Sequence, residues 1–309
     1  MKLLTKNDIE EIVLGATIVG SGGGGDPLYH KLMVQRQIEQ YGPIELIDCD
    51  ELCDDDLVIP LSMMGAPLVG IERLHTGREF EGLLNMVTKI YGKRPRAVLP
   101  SEIGGANSLT PFLCSGHLSI PVLDADIIGR AFPELQMSSA EIMGISACPA
   151  FMGDCYGNAI AITAHDGHTL ERYARALTVE MGSVALVAIY PMTGAQVKQG
   201  AAISGSVSWV QNIGRLMLNA IQNNEHSSKS LITTMGAHSL GLGMIDDINC
   251  SIQDGFMRGV VTIICDRTCV TVHYQNEYLV VYRDNQVAAS TPDIIVLLEE
   301  ETGLPVTSE

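Results

Sequence analysis

Four consecutive glycines, Gly22–Gly25, stand inside the segment Ile18-Val19-Gly20-Ser21-Gly22-Gly23-Gly24-Gly25-Asp26-Pro27. Glycine loses more conformational freedom on ordering than any other residue, so such a run beside apolar segments demands a close backbone approach. Asp26-Pro27 reads as an N-cap followed by proline at the first helical position, opening a helix through Met33. The glycine amides and the first N–H groups of that helix then face a shared space suited to an oxyanion or a carbonyl.

Gly20, Gly22 and Gly25 satisfy G-x-G-x-x-G, and Asp48 and Asp50 follow at roughly the ~20-residue offset of a dinucleotide fingerprint. That fingerprint needs a strand before its glycines. Here Asn7 and Glu10 have capping-box spacing, and Ile9, Ile12, Val13 and Ala16 recur with helical period. The order is therefore helix, glycine loop, helix, and Asp26 would repel a pyrophosphate. Two readings stand beside the nucleotide one: a purely structural tight turn, and a glycine-lined site for a small, uncharged or weakly anionic ligand.

Bulk properties narrow the partners. A net charge of −17 argues against nucleic acid and anionic membranes, which recruit Lys and Arg. Hydrophobic residues at 46% indicate a core-rich globular chain, and only 18% charged residues suggest a homo-oligomer that covers part of its surface. No apolar leader or membrane-length apolar run is evident, and eight scattered cysteines fit reduced thiols in a cytoplasm.

Strand-like segments (Ile44–Ile47, Leu57–Leu61, Arg96–Leu99, Ile120–Asp124) alternate with helix-like ones such as Glu79–Tyr91. This predicts an α/β fold: a mostly parallel, layered N-terminal domain over residues 1–166. Ligands bind beyond the carboxyl ends of such strands, which puts Met63–Gly65, Glu102–Gly105 and Asp124–Asp126 along one rim. Further on come a strand over Asn158–Ala164, a helix over Thr169–Gly182, a strand over Val184–Tyr190, a helix over Trp209–Ile221 and a polar linker over Asn223–Ser228. Short β segments at 260–264, 271–274, 278–282 and 294–297 make the second domain, 167–309, β-rich.

Carboxylates near the rim are the candidates for chemistry. An acid in an apolar, glycine-lined pocket has a raised pKa and can act as general acid or base. Glu102, flanked by glycines and Asn107, is hard to explain by packing. Asp124 and Asp126 lie on one side of an extended segment, where their pKa values could split; capping of the next element is the other reading. His165, Asp166 and His168 have a metal-like grouping that an ordinary turn explains equally, and His30 and His117 lie near the glycine loops in sequence. The cofactor set stays unknown: no nucleotide is expected, and a divalent metal is compatible. Serine-hydrolase and P-loop signatures are absent, and Cys148 and Cys155 have no base beside them in sequence.

Taken together, Gly22–Pro27, Gly65-Ala66-Pro67, Glu102–Asn107, Asp124-Ala125-Asp126 and Gly129–Met137 resemble the N-terminal half of the S-methyl thiohydantoin desulfurase family. Gly255–Gly259, Gln275-Asn276-Glu277 and Pro292–Ile295 resemble its C-terminal half. Members of that family run on past a segment like Thr302–Pro305, so a shortened C-terminal domain is expected. The resemblance implies hydrolysis of an S-methyl thiohydantoin, or a related cyclic imide-like ring, to hydantoin and methanethiol. It also implies a hydantoinase/oxoprolinase-type partner. On this reading Glu102 is the base and Asp124 or Asp126 the acid, while Gly22, Gly23, Gly24, Gly25, Asp26, Asn107 and Glu134 hold the substrate. The alternatives are a non-catalytic accessory or regulatory subunit of a hydantoinase-type system, and a nucleotide-dependent oxidoreductase.

Overall fold

A computed structural model describes residues 1–73, 75–223, 227–253, 256–266 and 268–308. Gly255 and residues 224–226 of the expected linker lie outside the described residues. The glycine run is flanked by α1 (Lys6–Val19) and α2 (Leu28–Tyr41), so no strand precedes it. Thr5 and Asp8, rather than Asn7 and Glu10, form the capping box of α1. The expected cap is shifted by one residue: Pro27, not Asp26, is the N-cap of α2, and the Asp26 carboxylate, one position before it, accepts from the Leu28 N–H at 2.9 Å.

The first sheet has the order β1-β2-β5-β4-β3-β8-β6-β7, with β1 (Lys2–Leu4), β2 (Ile44–Ile47), β3 (Leu57–Gly65), β4 (Ala97–Pro100), β5 (Val122–Leu123), β6 (Ala150–Gly153), β7 (Ala159–Ile162) and β8 (Val184–Ala188). The central strands β2, β5, β4 and β3 are parallel; the strands from residue 150 onward join antiparallel. Alternation along β3 sends Leu57, Ile59 and Leu61 to one core and Val58 and Met64 to the other, so both faces of the sheet are covered. One core is closed by α1, α2, α3 (Arg78–Tyr91), α4 (Thr110–Leu118) and α6 (Ser206–Gln222), the other largely by α5 (Gly167–Glu180). The expected apolar face of α3, Phe80, Leu83, Leu84 and Val87, is buried.

Helices α1 and α6 cross almost backbone to backbone. A Cβ on Gly15 would lie 1.8 Å from the Val210 carbonyl oxygen, and one on Gly214 would lie 1.7 Å from that of Glu11. Only glycine fits there.

Beyond α7 (Ser227–Met235), five antiparallel strands form a second sheet: β9 (Met244–Gln253), β10 (Phe256–Cys265), β11 (Thr268–Gln275), β12 (Glu277–Arg283) and β13 (Gln286–Ser290). Residues 294–296 are not the expected strand. The backbone of Ile295 is instead bonded in both directions to the Ser21 hydroxyl, which ties it to the glycine loop. No described helix is long and apolar enough to cross a membrane.

A candidate active site at the interlocked glycine loops

The glycine loop meets a second glycine loop after β4. A Cβ on Gly24 would lie 2.5 Å from the Gly104 carbonyl oxygen, and one on Gly104 2.6 Å from Gly20 Cα. Gly22, Gly24, Gly25 and Gly105 all adopt positive φ, which a side chain would strain. Ala106 N–H donates to the Gly25 carbonyl at 3.0 Å and Asn107 N–H to that of Gly24.

The other side of the loop receives the second sheet. Tyr278 N–H donates to the Ser21 carbonyl at 2.6 Å, its ring packs where a Gly22 side chain would be, and Glu277 Oε1 lies where a Gly23 side chain would be. Beneath, buried Arg130 donates to the backbone carbonyls of Ala131, Tyr278, Pro292 and Asp293 and lies over the Phe132 ring. Burial lowers its pKa, while the nearby carboxylates of Glu277, Glu102 and Asp293 pull the other way. The segments 20–27, 102–107, 129–132, 275–278 and 292–295, scattered through the sequence, thus meet at one joint.

The expected wall of free amides is only partly present. Gly23 N–H is used in a turn to Gly20, and Gly22 and Gly23 are buried against the second sheet. The amides of Gly24 and Gly25 make no hydrogen bond among the described residues, and both glycines keep some exposure, with exposed Asp26 beside them. Asn107 faces this corner. Its side chain brackets the Met63 backbone, accepting from the N–H at 2.7 Å and donating to the carbonyl, and also donates to Glu102 Oε1 at 2.6 Å. Glu102 Oε2 accepts from Phe132 N–H at 3.1 Å. The rim expected from β3 and β4 therefore assembles around Asn107.

Asp124 and Asp126 are buried at the rim but turn to different partners. Asp124 accepts from the N–H and hydroxyl of Ser208, which caps the first turn of α6 and explains why that helix starts at Ser206, not Trp209. Asp126 accepts the N–H groups of Ile103, Ile128 and Gly129. Burial pushes its pKa up to about 6 against those donors. Glu134 lies further along, bonded to Gln136, which also reaches His168. Asp166 caps α5 and His165 is almost fully exposed, so the turn reading explains that segment. Among the described residues, no three His, Cys, Asp or Glu side chains are grouped to hold a metal ion.

Sequence spacing missed His75 and Glu79. His75 Nδ1 lies 2.7 Å from Glu79 Oε1, and its Nε2 lies 3.2 Å from Nε2 of His30 in the first turn of α2. Thr76 donates its N–H and hydroxyl to Glu79. The one available signal was His75 and Glu79 at i,i+4 spacing; their meeting with His30 is tertiary.

A cleft of about 1410 Å³ lies between α6–α7 and the second sheet, with the 292–295 segment in its wall. It is lined mainly by apolar groups such as Trp209, Met235 and Val272. It exceeds the ~300–1,000 Å³ usual for small-molecule sites. None of the candidate site residues lines it.

Among known protein families, residues 7–164 match the S-Me-THD-like N-terminal domain and residues 165–309 the S-Me-THD-like C-terminal domain. Among solved structures, the crystal structure of a protein from Chromobacterium violaceum is similar, with a TM-score of 0.79 at 23% identity. The match covers 100% of this chain and 85% of that one, and it shows the fold. No curated protein matches the chain.

Proposed function

The chain belongs to the S-Me-THD-like family, and on that premise we propose that it hydrolyses an S-methyl thiohydantoin or a related cyclic imide-like ring, releasing methanethiol and leaving a hydantoin. The observation that carries this reading is the meeting of segments from both halves of the chain at the interlocked glycine loops. Water adds to the ring carbon bearing the methylthio group, and the carbon–sulfur bond then breaks. In this reading the free amides of Gly24 and Gly25 face the ring's carbonyl edge. Asn107 and Glu102 hold the N–H edge. Both Glu102 oxygens already accept hydrogen bonds, from the Asn107 amide and the Phe132 N–H, which fixes the carboxylate in place. We therefore give Glu102 the ring N–H rather than the water, and Asp124 and Asp126 the task of fixing the loops around it.

The test is release of free thiol from S-methyl thiohydantoins, followed with a thiol reagent. Glu102→Gln is expected to lower kcat/KM about 100-fold, because an amide N–H would meet the ring N–H. Near-normal turnover by a folded variant would remove Glu102 from the site. A second reading, a subunit that docks on a hydantoinase-type partner, draws support from the exposed apolar edge strand β9. It predicts no thiol release by the chain alone.

A further inference from the structure

Glu79, His75 and His30 form a line whose proton positions follow from elementary bookkeeping. An ionised Glu79 can only accept, so His75 Nδ1 carries the proton between them. Burial alone would raise the Glu79 carboxyl, but the hydrogen bond from His75, with the Thr76 donors, holds it below the usual carboxylate range. In the tautomer the relay requires, His75 carries its one proton at Nδ1 and offers a lone pair at Nε2. His30 Nε2, 3.2 Å away, must be the donor. That leaves His30 Nδ1 as a bare lone pair, and this buried atom has no hydrogen-bond partner among the described residues. A buried acceptor without a partner costs about 1–3 kcal/mol, which a bound water recovers.

The location agrees with a role in chemistry. His30 is five residues beyond Gly25, and α2 packs on the 105–109 turn that carries Asn107. His75 follows the segment that leaves the end of β3 just beyond Met63–Gly65. Burial, with His75 adding to it, pushes the His30 pKa down to about 3, so by itself it is a poor base. The line resolves that difficulty. A proton arriving at His30 Nδ1 releases the Nε2 proton to His75, and the positive charge comes to rest beside Glu79.

We propose that Glu79, His75 and His30 form a proton relay that activates water for cleavage of the exocyclic carbon–sulfur bond, an inference that rests on the hydrolytic reading above. His30 Nδ1 takes a proton from water as the C–O bond forms at the ring carbon. The His30 Nε2 proton passes to His75 Nε2, giving an imidazolium paired with Glu79. When the C–S bond breaks, the electron pair leaves on sulfur, and the relay runs backward to protonate it. Water and ring become hydantoin and methanethiol, and the relay returns to its starting state. His30 meets the water; His75 and Glu79 are positioning residues that act through it. The other titratable groups nearby are His117, stacked on Phe80 beside His75, and Cys114 on α4, with Asp26, Tyr29 and Lys31 flanking His30 in sequence.

The experiment combines histidine tautomers, read by nitrogen-15 NMR of the full chain, with turnover. In the wild type, His30 is expected protonated at Nε2 and bare at Nδ1. In Glu79→Gln the side-chain amide donates to His75, both tautomers reverse, and kcat falls at least about tenfold while KM changes less than about twofold. His30→Ala is expected to lose 10²–10⁴ in kcat, with partial rescue by added imidazole, which a structural histidine would not show. A wild-type protein that releases no thiol overturns the hydrolytic reading; the tautomers then still decide the relay, the expected pattern and its reversal supporting it. A proton on His30 Nδ1 in the wild type overturns the relay, as does Glu79→Gln with unchanged tautomers and kcat.

Discussion

The cross-strand row Ile248–Val261–Val272–Val281 runs along one face of the second sheet, and its exposure drops from 56% through 7% to 1% and 1%. The body of the protein covers the inner strands and stops short of β9, leaving Met244, Ile248 and Ile252 largely exposed. At the glycine joint, by contrast, four chain segments are packed so closely that methyl groups are excluded. Both regions draw on strands of the second sheet. One has no tolerance for added volume, and the other has a free hydrogen-bonding edge. The first holds a geometry; the second is open to a partner.

The largest test of this contrast is Gly214→Ala. Its new Cβ would meet backbone on a neighbouring helix, not a movable side chain, so a loss of roughly 3 kcal/mol is expected in urea unfolding. A loss under about 0.5 kcal/mol would show that α1 and α6 can separate at little cost. Gly24→Ala should lose about 2 kcal/mol, from positive φ and the Gly104 carbonyl together.

Acid response probes the joint through two opposed groups. In the unfolded chain Asp126 titrates near ~4, but in the fold near about 6, so its contribution to stability is greatest below ~4 and declines as pH rises to about 6. His30, titrating near ~6.5 unfolded and about 3 folded, contributes fully above ~6.5 and loses that contribution as pH falls. Between ~4 and 6 the slopes cancel. Asp126→Asn leaves only the His30 slope, and stability should then fall by about 1.4 kcal/mol per pH unit on acidification. Equal urea midpoints for wild type and variant across pH 4.5–7 would remove one group from this account.

The smallest effect is expected at the open edge. Ile252→Asn should change monomer stability by less than about 0.5 kcal/mol. If copies of the chain associate through β9, light scattering should report a lower mass for this variant than for the wild type.

Helix, glycine loop and helix were legible because the apolar period of α1 rules out a strand before Gly20. The rim was legible because Met63–Gly65, Glu102–Gly105 and Asp124–Asp126 each follow a strand-like run. The roles of the acids were not. Asp124 and Asp126 look alike at i,i+2, yet one caps α6, some 80 residues on, and the other gathers three amides. Edge strand β9 was missed because Met244–Gln253 lacks a clear polar–apolar alternation, and its pairing with β10 is what makes it a strand.

The sequence by itself determined which residues must be glycine-like, apolar or acidic, since those constraints are local: backbone freedom, periodicity and chain-end chemistry. Only the tertiary structure decided that Gly22 and Gly23 are buried against Tyr278 and Glu277 while Gly24 meets the second glycine loop and, with Gly25, keeps some exposure. It also brought His30, His75 and Glu79 into line. Both outcomes depend on side chains meeting across long sequence separations, where register and packing, not local preference, set the distance.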